Sequence, residues 1–152
     1  MEFQVRDARL TDIDRISGLI EQTGANWSSQ QLSQASDLLR QLVYLPNAGV
    51  LVAADGKVIV GVAVLALRPS VAATGLVGVL DLLAVDPTSG STEVVDALLR
   101  EVIQSARNKG CRVLEAELPD EPGELARWNK QGFVEAGRRL TYSLARVPVS
   151  QR

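Results

Sequence analysis

Residues 76–99 read LVGVLDLLAVDPTSGSTEVVDALL and contain a strand followed by the start of a helix. Positions 76–85 are apolar on both faces, which is typical of a strand that is covered from both sides. Asp86-Pro87 ends this strand, because proline cannot donate to a ladder of hydrogen bonds. From 91 to 108, apolar residues recur at helical spacing. The segment therefore predicts a central strand that a short loop joins to a long helix.

Two helices, at about 11–24 and 28–44, are predicted between a first strand at 3–7 and the valine-rich middle of the chain. In each, apolar residues recur at helical spacing. Each also begins with the spacing of a capping box, in which two side chains satisfy two backbone N–H groups of the first turn. The two boxes are Thr11 with Asp14 and Ser28 with Gln31.

A tight hairpin is predicted in the middle of the chain. Two valine-rich runs, 49–54 and 57–68, lie on either side of Asp55-Gly56. This dipeptide suits the positive φ angles of a two-residue turn. The two runs should therefore pair as antiparallel strands.

The C-terminal third completes a mixed α/β fold. It contains a predicted strand at 112–118, a short helix at 121–131, and a last strand indicated by the alternation of Leu140, Tyr142 and Leu144. Strands paired by hairpins come first, and strands separated by helices follow. We therefore expect a mixed, mostly antiparallel sheet with helices on both faces.

Composition narrows the classes of function. The chain has 152 residues, enough for one domain, which we place at 1–146 with a flexible tail at 147–152. Its 16 basic and 18 acidic residues leave no basic surface of the kind that binds nucleic acids or anionic membranes. It has no histidine and a single cysteine, Cys111, which excludes an intramolecular disulfide, a zinc site and a Ser-His-Asp triad. We expect small-molecule or protein partners.

The sequence shows neither a secretion signal nor a membrane span. The apolar region 58–85 is interrupted by Arg68, Pro69 and Asp81, so it predicts strands. No basic segment leads into an apolar stretch at the N-terminus. We therefore expect a cytoplasmic protein.

Two stretches resemble the GCN5-related N-acetyltransferase (GNAT) family. Residues 80–99 contain LDLLAVDP followed by a helix with DALL, and 127–133 end in Gly-Phe, as the corresponding family segments do. The order of elements is also similar over nearly the whole chain. The resemblance implies a GNAT-like fold and the transfer of an acetyl or acyl group from acyl-CoA to an amine, carried by a small molecule or a protein.

The resemblance also implies where acyl-CoA would bind. In the family its pyrophosphate lies against backbone N–H groups at a helix N-terminus, where unpaired donors and the helix dipole favour an anion. The corresponding positions of this chain lie at the end of the central strand and in the first turn of the next helix. They are Leu83, Ala84, Val85, Ser91, Thr92, Glu93 and Val94.

The loop before that helix departs from the family pattern of one basic or amide residue followed by two small ones. Gly90, Glu93 and Val95 occupy the three positions. The carboxylate of Glu93 would repel a pyrophosphate, and Val95 would crowd it, so the affinity for acyl-CoA should be reduced. An alternative is that residues 90–93 only cap their own helix, with a Ser or Thr hydroxyl bonding its first N–H groups.

Asp81 is the candidate catalytic residue. It is the only charge between Arg68 and Asp86, in a strand where aspartate is disfavoured. The resemblance places it where many family members carry a carboxylate that helps deprotonate the amine. The alternative is that backbone N–H groups hold its carboxylate at a bulged part of the strand.

The resemblance also implies an acceptor-binding loop and a general acid, and the residues at these positions have more than one interpretation. Asn26 and Trp27 correspond to the acceptor-binding loop, although Trp27 could instead pin this loop to the core. The family's general acid, a tyrosine, is replaced by Trp128, whose indole cannot protonate a thiolate. Tyr142 is an alternative acid or a packing residue.

These departures leave two functions open: an acyltransferase, or a GNAT-like ligand-binding or protein-interaction module that has lost acyl-CoA. The uncharged segment 70–79 could be an apolar surface for a homodimer or another partner. It could equally be the buried beginning of the central strand.

Overall fold

Five strands form one sheet in the computed structural model, which describes residues 2–23, 26–137 and 140–144. The strands lie in the order β1-β2-β3-β4-β5. They are β1 (Gln4–Asp7), β2 (Ala48–Asp55), β3 (Val58–Ser70), β4 (Gly75–Val85) and β5 (Cys111–Ala116). β1 to β4 pair antiparallel, and β5 pairs parallel to β4. The prediction of a mixed, mostly antiparallel sheet is confirmed.

Four α-helices cover the two faces of this sheet. They are α1 (Ile13–Gln22), α2 (Ser29–Leu42), α3 (Ser91–Asn108) and α4 (Pro122–Lys130). Alternate residues of β2 enter opposite cores: Val50 and Val52 pack with α1 and α2, and Leu51 and Ala53 pack with α3. The sheet is therefore buried on both sides. None of the described helices is long and apolar enough to span a membrane.

The predicted hairpin between β2 and β3 is confirmed, with its turn one residue later than expected. Asp55 pairs with Val58, so the two turn residues are Gly56 and Lys57. Gly56 has a φ of +60°, the conformation that the first central position of a II′ turn requires. Glycine adopts this φ without steric cost.

One capping box is confirmed and the other is wrong. Ser28 Oγ accepts from Gln31 N at 3.1 Å, and Gln31 Oε1 accepts from Ser28 N at 2.8 Å. Thr11 and Asp14 do not cap α1; a 3₁₀ turn, Leu10–Asp12, precedes it, and Asp12 accepts from Arg9 N at 2.8 Å. Asp12 is also held by Arg6 of β1, which donates at 2.7 and 3.0 Å. α1 therefore begins at Ile13, with Asp12 at its N-cap position.

The predicted last strand is wrong for the described residues. Leu140, Tyr142 and Leu144 are 100%, 87% and 90% exposed and belong to no strand. Alternation shows which side chains can share a face, but a strand also needs a partner edge. Residues 138–139 and the predicted tail, 147–152, lie outside the described residues, and the domain boundary at 146 stays a prediction.

Gly61 of β3 sets how closely α3 approaches the sheet. A Cβ at this position would lie 2.7 Å from Val94 Cγ1 and 2.9 Å from Leu98 Cδ1. Val94 and Leu98 are each 0% exposed, so neither side chain can move into solvent. The first two turns of α3 therefore rest directly on the backbone of β3.

We expect Gly61→Ala to lower the free energy of unfolding by about 1–3 kcal/mol, because the added methyl overpacks a rigid contact. Chemical denaturation measures the change. Gly18→Ala is the matched control, since nothing lies within 4 Å of that Cβ. In the α1 helix the control should stabilise by about 0.5–1 kcal/mol. Equal effects of the two substitutions would contradict the packing described here.

Asp12→Asn should destabilise the fold in a pH-dependent way. The hydrogen bond from Arg6 and that from Arg9 N lower the pKa of Asp12 from its usual 3.8. A carboxylate whose pKa is lower in the folded state than in the unfolded state stabilises the fold above about pH 4. This stabilisation is lost as the pH falls through the pKa of the folded state. At pH 7 the loss should be about 2 kcal/mol, typical of charged hydrogen bonds.

Denaturation curves at pH 7 and at pH 2–3 test this expectation. The difference in the free energy of unfolding between wild type and Asp12→Asn should be smaller at the lower pH. Asp14→Asn is the control, because the Asp14 side chain is 94% exposed and its ion pair with Arg40 is long, at 3.6 Å. A difference for Asp12→Asn that does not change with pH would show that the ion pair is not its cause.

Candidate functional site

β4 and β5 separate halfway along β4. They pair from Leu76 with Cys111 to Leu80 with Ala116, and no further. β4 continues to Val85, paired on its other side with β3. Within the described residues, the edge of 81–85 that faces away from β3 therefore has no strand partner. Its backbone N–H and C=O groups are open to a ligand.

Asp81 is the bulged residue at this point of separation. Leu80 pairs with Leu65 and Leu82 with Val64, which leaves Asp81 as the extra residue of β4. Bulges redirect a side chain and often lie beside functional sites. Asp81 is exposed, and its carboxylate makes no hydrogen bond or ion pair with any described residue. The predicted bulge is therefore present, but backbone N–H groups do not hold the carboxylate.

The loop from β4 to α3 is ordered by Asp86. Its Oδ1 accepts from Thr88 N at 2.9 Å and from Thr88 Oγ1 at 2.8 Å, and its Oδ2 accepts from Ser89 Oγ at 3.0 Å. The Thr88 N–H, the Thr88 hydroxyl and then Ser89 lower the pKa of Asp86. The carboxylate thus stays ionised at neutral pH and holds the loop in a tight turn.

The first turn of α3 has no side-chain cap. Gly90, the N-cap residue, is left-handed with a φ of 61°, and no side chain there accepts from the helix. The first backbone bond runs from Val94 N to Gly90 O at 3.2 Å. The predicted self-capping by Ser91 or Thr92 is therefore wrong. The leading N–H groups and the positive end of the helix dipole remain available to an anion.

The two residues that were expected to weaken cofactor binding have different surroundings. Val95 is only 8% exposed and packs in the core, so its side chain does not crowd the surface above the helix N-terminus. The expected crowding is not found, because this position faces the sheet. Glu93 is exposed in the first turn, next to the open N–H groups. Its negative charge remains the feature that opposes an anion.

A pocket of about 360 Å³ lies between the first turns of α3 and the helix α4. Arg127 and Lys130 bring two positive charges to its wall, and Arg127 also contacts Glu124 at 3.3 Å. Asp96 Oδ1 is buried at this wall without a hydrogen-bond partner among the described residues. The pocket is lined by Thr92, Asp96, Gly123, Ala126, Arg127, Lys130 and Gln131.

The sequence analysis did not identify this pocket and assigned no role to Arg127 or Lys130. A signal was present: the four lining residues at 123, 126, 127 and 130 have the spacing of one helix face. That face carries two small residues, Gly123 and Ala126, and two basic residues, Arg127 and Lys130. Which element it faces, however, depends on how α3 and α4 pack.

Trp128 is a core residue with an unsatisfied donor. It is 8% exposed, and its ring meets that of Phe133 edge to face at 5.2 Å. Its buried Nε1 has no acceptor among the described residues. Tyr142, the alternative acid or packing residue, is 87% exposed and belongs to no helix or strand, so it is not a packing residue.

The predicted acceptor loop is described only in part. Trp27 is half-buried against the core formed by α1 and α2, as the pinning interpretation expects, and Asn26 is exposed. Residues 24–25 lie outside the described residues. The structure therefore separates Trp27, which packs, from Asn26, which is open to solvent.

Comparison with known proteins gives one family. The family model described as "Acetyltransferase (GNAT) family" matches residues 16–133, more than half of the chain. A search of curated protein sequences finds no match. The structural relatives share the fold over nearly their whole lengths.

Three solved structures illustrate the likeness. An integron cassette protein from the mobile metagenome of Cole Harbour Salt Marsh is 27% identical, with a TM-score of 0.79 over 95% of this chain and 91% of that one. An acetyltransferase of Trypanosoma brucei is 23% identical, with a TM-score of 0.73 over 94% and 100%. The aminoglycoside N-acetyltransferase AAC(6')-Iy, solved with CoA, is 20% identical, with a TM-score of 0.76 over 93% and 94%.

Proposed function

Because the chain belongs to the acetyltransferase (GNAT) family, we propose that it transfers an acetyl or acyl group from acyl-CoA to an amine. The observation that carries this proposal is the uncapped first turn of α3, which opens beside a pocket with two basic side chains. Open N–H donors, a helix dipole and nearby cations together favour a phosphate-bearing ligand.

The described residues would contact two parts of acyl-CoA, the pyrophosphate and the amide-containing arm. The N–H groups of Ser91, Thr92 and Glu93 would receive the pyrophosphate, and Val94 continues the same turn. Leu83, Ala84 and Val85 present an open strand edge, which would bond the extended amide-containing arm. Arg127 and Lys130 supply the positive charge that the loop lacks at Gly90.

Two carboxylates oppose this ligand. Glu93 lies in the first turn, and Asp96 lines the same pocket as the two cations. Glu93 is exposed and its repulsion is screened by water, whereas the buried Oδ1 of Asp96 is screened less. We therefore propose a cofactor site that is weaker than one with a basic loop residue.

Asp81 is proposed to accept the proton of the acceptor amine. Bound acyl-CoA would supply the thioester that a neutral amine attacks, and a base is needed to keep the amine neutral. The exposed carboxylate at the bulge can reach solvent and a substrate in the gap between β4 and β5. The indole of Trp128 cannot give up a proton and its Nε1 is buried, so the leaving sulfur would take its proton from water.

The second function is a GNAT-like module that binds a ligand or a protein without catalysis. The missing acid at Trp128 and the carboxylate of Glu93 favour it. Binding of acyl-CoA without turnover, or no binding at all, distinguishes this function from the first. Asn26 stays a proposed acceptor contact, and the acceptor is proposed only as a small-molecule or protein amine.

The proposed homodimer surface at 70–79 divides into two parts. Val71 in the turn is 96% exposed, whereas Val77 of β4 is 1% exposed. Pro69, Val71 and Leu76 line an open pocket of about 550 Å³ at this end of the sheet. Only the turn and its pocket can therefore belong to an interface.

Acetyl-CoA should bind saturably in a calorimetric titration, and binding should weaken with added salt, which screens the charges of Arg127 and Lys130. Arg127→Ala and Lys130→Ala should each weaken binding about tenfold, equal to about 1.4 kcal/mol. Glu93→Gln should strengthen it. Arg107→Ala, at the opposite end of α3, should leave it unchanged. No binding at millimolar acetyl-CoA would overturn the proposed function.

Asp81→Asn should lower kcat for acetyl transfer about 100-fold, the usual contribution of a positioned base. The Kd for acetyl-CoA should not change, because no cofactor contact is assigned to this side chain. Asp55→Asn, at the exposed end of β2, is the control. An unchanged kcat would show that Asp81 only shapes the bulge.

A further inference from the structure

The pocket between α3 and α4 contains a carboxylate that no described residue compensates. Asp96, one helical turn along α3 from Thr92, is half-buried in the pocket wall and makes no hydrogen bond or ion pair with any described residue. The last torsion of an aspartate is broad and two-fold, so either oxygen can turn toward the pocket. A partly desolvated carboxylate without a donor destabilises the protein. A ligand that donates a hydrogen bond here would remove part of that penalty.

The α4 side of the same pocket leaves room for a flat group. Its small residues are Gly123 and Ala126. A Cβ on Gly123 would have nothing within 4 Å, so this part of the pocket is open space. The volume of about 360 Å³ is within the range of sites for small ligands. The gap between the two helices can therefore admit a planar ring.

The two cations of the pocket require the same ligand to carry negative charge. Lys130 makes no ion pair with a described residue, and Arg127 contacts Glu124 at 3.3 Å through one of its nitrogens. Both side chains can still donate to phosphate oxygens. A phosphate alone would leave Asp96 without a donor. A nucleotide whose base carries an exocyclic amine satisfies both kinds of group, the cations with its phosphates and the carboxylate with its amine.

We propose that the pocket between α3 and α4 binds the adenine base of acyl-CoA, and that Asp96 selects this base by accepting a hydrogen bond from its exocyclic amine. This role rests on the proposed function, because acyl-CoA is the ligand that would bring the base. The pocket adjoins the first turn of α3, through Thr92, where the pyrophosphate would bind. Asp96 would thus repel the phosphates but hold the base.

The chemistry of a carboxylate makes this contact selective. Its oxygens only accept hydrogen bonds, so Asp96 distinguishes bases by the group that faces it. Adenine presents an amine, which donates. Hypoxanthine presents a carbonyl oxygen at the same ring position, which a carboxylate repels. A site that bonds one polar group rejects the analogue lacking that group much more strongly than an apolar pocket rejects a change in size.

Calorimetric titration with CoA and with its hypoxanthine analogue tests the selectivity. The wild type should bind CoA about tenfold more tightly than the analogue, as a hydrogen bond to a charged group allows. In Asp96→Ala the two affinities should be equal, whatever the change in overall affinity. Glu93→Gln is the matched control: it also removes a negative charge beside the ligand, but it should strengthen the binding of both ligands and keep the preference for CoA.

The outcomes separate this role from the proposed function. Equal binding of the two ligands by the wild type, or an unchanged preference in Asp96→Ala, would overturn the role of Asp96 and leave acyl-CoA binding intact. Binding of neither ligand would overturn both. Thermal unfolding should show that Asp96→Ala is no less stable than the wild type, because alanine favours a helix and removes an uncompensated carboxylate.

Filling the pocket tests the place of the base. Gly123→Leu puts a side chain into open space near the start of α4, and leucine favours a helix more than glycine, so the fold should be kept. The variant should bind CoA about tenfold more weakly. It should bind 4′-phosphopantetheine, which has no base, as the wild type does. Undiminished CoA binding, or an equal loss for both ligands, would show that the base lies elsewhere.

Discussion

The contact between Gly61 and α3 is the constraint on which the candidate site depends. With no side chain at position 61, Val94 and Leu98 reach the backbone of β3, and both are fully buried there. The helix is thereby held against the sheet from its first turn. The first turn of α3 follows the end of β4, the part of β4 with which β5 no longer pairs. Core packing therefore helps to position the open N–H groups, together with the loop that Asp86 orders.

The open N–H groups at this turn are backbone groups, so they do not require particular side chains in the loop. Backbone donors and the helix dipole persist whatever side chains occupy the loop. The side chains change only the balance of charge around them. Glu93 and Asp96 contribute negative charge, and Arg127 and Lys130 contribute positive charge from a different helix. Gly90 brings no charge to this loop, but Arg127 and Lys130 line the pocket beside the same turn.

The parts of the fold that the sequence predicts are those fixed by local patterns. The bounds of α3 follow from helical spacing between Asp86-Pro87 and Lys109-Gly110, and the β2–β3 hairpin follows from its turn. The start of α1 was not predicted, because Thr11 and Asp14 have the spacing of a capping box, whereas in the structure Asp12 bonds Arg6 and the backbone N of Arg9. The last strand failed because alternation carries no information about a partner edge. The pocket was missed because it forms only when α3 and α4 pack together.

The order within the β4–α3 loop has a kinetic consequence. Asp86 already accepts three hydrogen bonds from Thr88 and Ser89, so the turn is formed before any ligand arrives. A ligand that lands on the first turn of α3 does not have to immobilise that loop. The entropy of ordering it is lost once, during folding, and not again at each encounter. Binding at that turn would then not wait for the loop to rearrange.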